Sequence, residues 1–485
     1  MAKAKPIRCD AWRLLADVQT SRMAVDTVAT YRRLANALAG VFLVHWPDVY
    51  DLPVQDLESL FHDTKKTPGT TYGRWFAANF PKVPSYLRRA ATMAAHDAVS
   101  SFMTRYRSWQ GGDRARRDAR PPRWGGVQSW PVLYAANGGA GAMIRHDGDI
   151  VHLKLLDAAS GDWLWRTAAV VRRGPRHGVE GAVPKSPALV VHGRSLCLAK
   201  PYEFARPKRE KKPVDRVCSV DLGINKQATC SVVDASGTVI ARRFIRLGAH
   251  IDRRDKILHA IRDKARQTMG KGGKLAPGFC RGLYDRAKGL NIHVAREISR
   301  QVVAFARAHG ARAVVFEDLR RFRPKGGAKR SNLRQRFHGW LHRATVRQAE
   351  ASCEELGIGF ALVHPRGTSA WAYDGSGKVA RQRHDYGRCR FRSGKAYDCD
   401  LSASYNIAAR WFEREQMRAR RKAERVETTP AGGKTGWPAR GGRSGAREGA
   451  STAGPRMPAT LSSLWPSRVR ALGSAETPAT AASAA

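Results

Sequence analysis

The sequence is short of acidic residues, of paired cysteines and of long apolar runs. Its 485 residues include 41 Asp and Glu against 86 Lys and Arg, so the formal net charge is 86 − 41 = +45. No uncharged apolar run approaches the length that a bilayer requires, and the first residues lack the apolar core of a signal peptide. The eight cysteines form no CxxC pair, which argues against a disulfide framework and an evident zinc ribbon. We therefore expect a cytoplasmic protein, in a bacterial cytosol or nucleoid, with no membrane partner.

The positive charge is spread over every segment of a chain that can still fold. Hydrophobic residues make up 42% of the sequence, and the length suggests two to four domains. A lipid-binding protein would concentrate its basic residues in one amphipathic helix or beside an anchor. Nucleic acid is the first partner to consider.

Hydrophobic periodicity divides the chain into five parts. Apolar residues recur at helical spacing from Arg22 to Val44 and again from Ser85 to Trp109, which predicts a helical region over 1–129. Short apolar runs separated by Gly-containing turns predict a small antiparallel β-domain over 130–204. A basic linker (205–216), an α/β domain (217–414) and a disordered basic tail (415–485) complete the expected order.

Three acidic residues follow predicted strands in the α/β part. A β-branched run delivers Asp221 into a glycine turn, Glu317 ends another such run, and Asp400 precedes a helical pattern. Each acid alone is better explained as a capping or surface residue. Together, in so basic a chain, they predict a divalent-metal site that works on a polyanion.

The segments around these acids carry a family resemblance. DLGINKQA (221–228), VVFEDL (314–319) and DLSASYNIAAR (400–410) resemble the three motifs of a RuvC-type nuclease, as found in TnpB and in miniature type V CRISPR effectors. FPKVPSYLRRAA (80–91) and HPRGTSAW (364–371) are also similar to that group. The expected fold class is therefore multidomain α+β, with a helical N-terminal region, a small antiparallel β-domain and a C-terminal RNase H-like (RuvC) α/β domain.

The resemblance implies a Mg²⁺-dependent DNA endonuclease of antiviral defence. It also implies that the helical region 1–129 acts in recognition and that the β-domain 130–204 is wedge-like, interleaved with that region and able to bind nucleic acid. Asp221, Glu317 and Asp400 would hold two Mg²⁺ ions, guide RNA would be a second cofactor, and double-stranded DNA with a short flanking motif would be the target. Asp398 could share a strand face with Asp400, whereas Asp318 should point away from Glu317.

The sequence departs from the family in an insert at about 364–399. Relatives carry two cysteine pairs there, but Ala372 and Gly375 stand at the first pair's positions, and Cys389 alone survives of the second pair, with Arg392 at its partner position. One thiolate cannot build a tetrahedral zinc site, so we predict no structural zinc. The side chains expected to hold the insert together instead are aromatic: Trp371, Tyr373, Tyr386 and Phe391.

Basic and aromatic side chains on the predicted helix from Ser85 to Trp109, the third helix along the chain after one at 54–62, and on basic loops at 111–126, 205–216 and 320–336 are expected to contact nucleic acid. They are Arg88, Arg89, Arg105, Arg107, Arg123, Trp124, Arg206, Lys208, Arg209, Lys211, Lys212, Arg320, Arg321 and Arg334. On the third helix, an aromatic core beneath a solvated arginine face explains the pattern equally well.

Two other functions stay open at this point. The chain could silence DNA by RNA-guided occupancy with little or no cleavage, or it could be a transposon-associated nuclease or DNA-binding protein without a guide. A neighbouring CRISPR array or flanking transposon ends would separate these contexts. Oligomeric state, as monomer or homodimer, is undetermined by the sequence.

Overall fold

The computed structural model describes residues 5–63, 68–123, 130–135, 141–171, 181–192, 195–205, 207, 214–270, 272–320, 341–382, 385, 387–427 and 459–464. The chain divides into two compact units, Met1–Ala205 and Arg206–Ala485. Among the helices in these ranges, none is both long enough and apolar enough to cross a membrane.

The first unit combines helices with an antiparallel sheet. Its helices are α1 (Val18–Val44), α2 (Trp46–Val49), α3 (Val54–Glu58), α4 (Gly73–Asn79) and α5 (Ser85–Gln110). Its strands are β1 (Ile7–Leu15), β2 (Ile144–Asp147), β3 (Ile150–Asp157), β4 (Asp162–Val171), β5 (Val183–Pro184), β6 (Ala188–His192) and β7 (Ser195–Glu203). The strand order is β2-β3-β4-β1-β7-β5, and β6 also pairs with β7.

Strand β1 was not predicted from the sequence. It lies between β4 and β7 and pairs antiparallel with both. Its sequence lacks the alternating apolar pattern of a strand, because Asp10 occupies an inward position opposite Lys200. Both of these side chains are buried. The division into a helical region (1–129) and a β-domain (130–204) stays a prediction, since both stretches fall within the first unit.

Helix α1 forms where capping and periodicity agree. The Asp17 carboxylate accepts a hydrogen bond from the Thr20 amide at 2.6 Å, which satisfies one of the free donors of the first turn. Buried residues then recur every three to four positions, as in Tyr31, Leu34 and Leu38, and this face packs against α5.

The second unit is built on a five-stranded mixed sheet. Its strands are β8 (Arg216–Asp221), β9 (Ala228–Asp234), β10 (Val239–Ile245), β11 (Ala313–Glu317) and β12 (Gly359–Val363). The order is β10-β9-β8-β11-β12, where the first three strands are antiparallel neighbours and β8, β11 and β12 run parallel. A three-stranded antiparallel sheet, β13 (Ala380–Arg381), β14 (Arg388–Arg390) and β15 (Ala396–Asp398), lies within the expected insert.

Helices cover both faces of the five-stranded sheet. They are α6 (Gly248–Gly270), α7 (Arg281–Ala308), α8 (His342–Glu355), α9 (Cys399–Glu427) and α10 (Leu461–Leu464). Cys218 and Val220 of β8 join the core formed with α7 and α8, whereas Val217 joins the core formed with α9. Burial on both faces explains why the strand is an almost continuous apolar run.

The expected disordered tail over 415–485 was wrong in two places. Helix α9 continues to Glu427, and Leu461 of α10 is completely buried. The rest of the tail lies outside the described residues. The basic linker 205–216 also lies mostly outside them, and its last residue begins β8.

Candidate metal centre at the strand ends of the second sheet

Asp221 and Glu317 lie side by side at the carboxyl ends of two neighbouring strands. They are the last residues of the parallel strands β8 and β11. Phe316 pairs with Val220 in the register, so the two acids follow directly at adjacent strand ends. Both are half-buried. The convergence expected from the sequence is therefore present for this pair.

Asp400 lies in the first turn of α9, and Asp398 caps that helix. The Asp398 Oδ1 atom accepts hydrogen bonds from the amides of Asp400 at 3.0 Å and of Leu401 at 3.1 Å. This capping role distinguishes the two acids that the sequence analysis considered together. One oxygen of Asp398 is used by the backbone, whereas Asp400 retains its carboxylate for other partners.

The other acids of this cluster act electrostatically on Asp221. Burial raises the pKa of Asp221 well above its usual value, and the negative charges of Glu317, Asp400 and Asp398 raise it further. The positive charge of Arg381, from β13, lowers it in part. Four carboxylates therefore share one electrostatic environment, which is the condition under which a cation binds favourably.

Burial also raises the pKa of the other two predicted ligands. For Glu317, the hydrogen bond from Thr368 and the charge of Arg410 act against that rise in pKa. For Asp400, Asp398 adds to it, while Lys226 and Arg381 oppose it. Each acid therefore has a positive or hydrogen-bonding neighbour that holds it in place.

Lys226 is the main feature that sequence reasoning did not single out. Its ammonium group donates to Asp398 Oδ2 and lies 3.2 Å from Asp400 Oδ2 and 4.8 Å from the centre of the Phe244 ring. Burial lowers its pKa, but the two carboxylates outweigh that effect, so the pKa of Lys226 is raised. A lone lysine in a turn that follows an acidic strand end was the available signal.

Thr368 is a second neighbour whose role the sequence did not indicate, although it lies in the stretch HPRGTSAW (364–371). Its hydroxyl donates to Glu317 Oε1, and its backbone carbonyl accepts a hydrogen bond from Asn406 Nδ2 at 3.0 Å. The same amide group also donates to the Trp371 carbonyl at 2.9 Å. Helix α9 therefore fixes the loop that orients Glu317.

Asp318 follows the last residue of β11 and has a partner of its own. Its carboxylate accepts a hydrogen bond from Arg320 Nε at 2.8 Å, and the guanidinium is exposed. Arg320 was expected to contact nucleic acid, and in the structure it is paired with this neighbour.

The donor set suits Mg²⁺, which prefers hard carboxylate oxygens and keeps several of its waters. Within the described ranges, however, no three His, Cys, Asp or Glu side chains already meet as a metal-binding group. Lys226 and Thr368 hold two of the carboxylates, so rotamer changes at Asp400 and Glu317 would accompany ion binding. The residues therefore fit the ion by chemistry and position, with side-chain adjustment.

The arginines predicted for nucleic acid occupy different environments. Arg88 Nε lies 3.7 Å from the Glu58 carboxylate and its side chain is only 18% exposed, so much of it belongs to the packing between α3 and α5. Arg89 shares Glu58 at 3.0 Å and is more exposed. Arg107 and Arg123 are exposed, whereas Arg105 is half-buried and its guanidinium donates to the carbonyls of Ser101 and Asp118. The remaining predicted contacts lie outside the described residues: Trp124, Arg206, Lys208, Arg209, Lys211, Lys212, Arg321 and Arg334.

An aromatic cluster holds the insert, partly as predicted. Tyr373 contacts Phe391 and Tyr405, with ring centroids 5.6 and 5.1 Å apart. Burial raises the pKa of Tyr373 to about 12, so the ring stays neutral. Cys389 and Cys399 are buried, and the Cys389 Sγ–H group donates to the Tyr397 carbonyl at 3.5 Å. Tyr386 lies outside the described residues, and the absence of structural zinc stays a prediction.

Comparison with known proteins gives three findings. A family model described as the Aq_aa04 family matches residues 8–157. No curated protein matches the sequence. Similar solved structures are type V CRISPR effectors of the Cas12 group.

CasPhi-2 (Cas12j) bound to crRNA and phosphorothioate DNA is 10% identical, with 84% of this chain and 92% of that chain covered and a TM-score of 0.42. The mini-RNA-guided endonuclease CRISPR-Cas_phi3 is 11% identical, with 84% and 92% covered and a TM-score of 0.39. A Cas12f1–sgRNA–target DNA complex is 10% identical, with 83% and 98% covered and a TM-score of 0.30. The likeness is loose, so we base the functional proposal on the geometry of the chain itself.

Proposed function

We propose that the chain is an RNA-guided DNA endonuclease that hydrolyses phosphodiester bonds at the carboxyl ends of the parallel strands of the second sheet. The observation that carries this proposal is the arrangement of Asp221 and Glu317 at adjacent parallel strand ends, with Asp400 close enough to raise the pKa of Asp221. Carboxylates that gather where they repel one another are typical of catalytic and metal-binding sites.

The strand order supports an RNase H-like (RuvC-type) domain. The chain makes two antiparallel hairpin connections through β8, β9 and β10, and then adds β11 and β12 parallel to β8 on its other side. In open sheets of this kind, sites form beyond the carboxyl ends of the parallel strands, where Asp221 and Glu317 lie. The three motifs named from the sequence fall on β8, β11 and α9.

The carboxylates of Asp221, Glu317 and Asp400 would hold two Mg²⁺ ions. Bound together, such ions supply an activated water and stabilise the leaving oxygen of an in-line displacement. The chain's own groups do the positioning. Thr368 orients Glu317 by its hydroxyl, and exposed Arg381 brings positive charge beside Asp221, where a DNA phosphate would arrive.

Guide RNA and double-stranded DNA are the partners we propose. The net charge of +45 favours binding along phosphate backbones, and the motif resemblance supplies the expectation that base pairing selects the target. The solved structures described above contain guide RNA and DNA. A short flanking motif would be read by the protein itself.

The test combines RNA sequencing with cleavage. We expect the purified protein to carry a defined RNA, and to cut DNA matching that RNA in Mg²⁺ but not in EDTA. Asp221→Ala, Glu317→Ala and Asp400→Ala should each abolish cutting and leave guided binding within about threefold, because affinity depends on phosphate contacts and base pairing elsewhere.

Asp318→Ala is the matched control, since this neighbouring acid pairs with Arg320 and should cost little cleavage activity. If the unaltered protein binds its guided target but nicks neither strand, silencing by occupancy replaces the proposal. If RNase-treated protein binds and cuts equally well, the guide is excluded and a transposon-type nuclease without a guide gains support.

A further inference from the structure

A short C-terminal segment, residues 459–464, is packed into the second unit. Leu461 is completely buried, and Ala459 and Thr460 are nearly so. Leu461 belongs to the same core as Tyr373, Phe391 and Trp411. Residues 428–458 separate this segment from α9 in sequence. Burial of this degree shows a specific docking site rather than a casual surface contact.

The floor of the docking site is the loop 372–377. The Ser462 amide donates to the Tyr373 carbonyl at 2.9 Å. A Cβ atom added at Gly375 would overlap the Ser462 hydroxyl and lie 3.4 Å from the Ser462 Cβ. Gly375 also has φ +75°, which favours glycine independently of the segment. A larger side chain at Gly375 would therefore meet the side chain of Ser462 in the docked segment.

The other wall of the site connects to Glu317. The Leu461 amide lies 3.3 Å from Asn406 Oδ1, to which it donates. The Nδ2 group of Asn406 holds the carbonyl of Thr368, and the Thr368 hydroxyl donates to Glu317. Both ends of the Asn406 amide are therefore satisfied only when the segment is docked.

We propose that residues 459–464 act as an intramolecular clamp that binds the groove between loop 372–377 and α9, fixes the Asn406 amide and so holds Thr368 against Glu317. The clamp takes the place that a cross-link would occupy in an insert of this size. It is a property of the fold, and it holds whether or not the proposed nuclease activity is correct.

The first experiment compares two leucine substitutions at glycines with similar backbones. Gly375→Leu introduces a side chain where Ser462 lies, whereas Gly394→Leu places the same side chain in open space at φ +85°. We expect Gly375→Leu to lower the unfolding midpoint more than Gly394→Leu in the full chain. In a chain ending at residue 458, the two substitutions should cost the same. Equal costs in the full chain would overturn the clamp.

The second experiment compares chains ending at residue 458 and at residue 465. We expect the shorter chain to unfold about 3–10 °C lower, from the loss of one buried leucine and its neighbours. Hydrogen exchange of loop 372–377 should quicken by about tenfold or more. If both chains share one midpoint and one exchange pattern, the segment does not stabilise the groove.

A labelled peptide of residues 456–468 provides the test in trans, using fluorescence anisotropy. It should bind the chain ending at 458, not the full chain whose groove is filled, and binding should weaken at least about tenfold when Leu461 is replaced by Asp. Equal binding to both chains would place the peptide elsewhere and contradict the proposal. If the chain ending at 458 does not fold, the comparison of Gly375→Leu with Gly394→Leu in the full chain still decides.

Discussion

Replacing Asp221 by Asn should stabilise the metal-free protein. Asp221 faces the negative charges of Glu317, Asp400 and Asp398, which all raise its pKa in addition to burial. Asparagine keeps the shape of the side chain and removes its charge. A residue proposed to be indispensable for cleavage should therefore cost stability when no cation is bound.

The size of the effect follows from Coulomb's law. Two like charges about 6 Å apart repel by about 3 kcal/mol at an effective dielectric constant of about 20. Arg381 offsets part of this repulsion. We therefore expect Asp221→Asn to raise the free energy of unfolding by about 1–3 kcal/mol at pH values where the Asp221 carboxylate is ionised, which corresponds to an unfolding midpoint about 2–12 °C higher.

The stability difference between Asp221→Asn and the unaltered protein should depend on pH. The pKa of Asp221 is higher in the folded protein than in the unfolded chain, so the folded state binds the proton more tightly. The destabilisation by Asp221 is therefore complete at pH values above its folded-state pKa. It is lost as the pH falls through the folded-state pKa, and is gone below about pH 4, where the unfolded carboxyl is protonated too. The advantage of Asp221→Asn should shrink over the same interval.

Differential scanning calorimetry in EDTA and in Mg²⁺ measures both effects. Mg²⁺ at about ten times its dissociation constant should stabilise the unaltered protein by about 1.4 kcal/mol and the variant by much less. An Asp221→Asn protein that is less stable than the unaltered one in EDTA would refute the proposed repulsion. An equal response of both proteins to Mg²⁺ would refute the assignment of Asp221 as a ligand.

Three further outcomes are expected. Lys226→Met should lower the unfolding midpoint in EDTA by about 2–8 °C, because the ammonium group compensates the charges of Asp398 and Asp400. Mg²⁺ should restore part of this loss, and Lys226→Arg should retain most of the midpoint. A Lys226→Met midpoint equal to that of the unaltered protein would contradict this. Arg88→Ala should destabilise the fold by about 1–3 kcal/mol through the loss of its pairing with Glu58, whereas Arg107→Ala should leave stability within about 0.5 kcal/mol and flatten the salt dependence of nucleic-acid binding; calorimetry and mobility shifts at several salt concentrations distinguish them. Elemental analysis should give well under one zinc per chain, and stoichiometric zinc would show that other ligands replace the missing cysteine pairs.

Local patterns predicted the α/β domain well because its elements are regular. Strands β9 and β12 and helix α7 follow apolar spacing and turn residues closely. Strand β1 escaped because Asp10 occupies an inward position, which only the partner strand with Lys200 explains. Its pairing joins the two ends of the first unit, and no local pattern encodes such a contact.

The positions of the three acids at element ends were predictable, but the contacts of their neighbours were not. Asp221, Glu317 and Asp400 stand at element ends that the sequence marks clearly. Lys226 and Thr368 act through tertiary contacts with Asp398 and Glu317, so their roles depend on elements far away in the chain. The tail was expected to be disordered from composition, because a single buried leucine among small and polar residues gives no periodic signal.

The position of β8 at the centre of the mixed sheet has a consequence for synthesis on the ribosome. Its antiparallel neighbour β9 emerges almost at once, whereas its parallel neighbour β11 is made only after both α6 and α7. Until then, one side of an apolar strand containing Val217 and Val220 presents unpaired backbone groups. Parallel pairing across so long a loop closes slowly, so the nascent domain passes through a stage prone to aggregation. Slow translation between β10 and β11 should therefore lower the yield of soluble protein, whereas slow translation after β12 should have little effect.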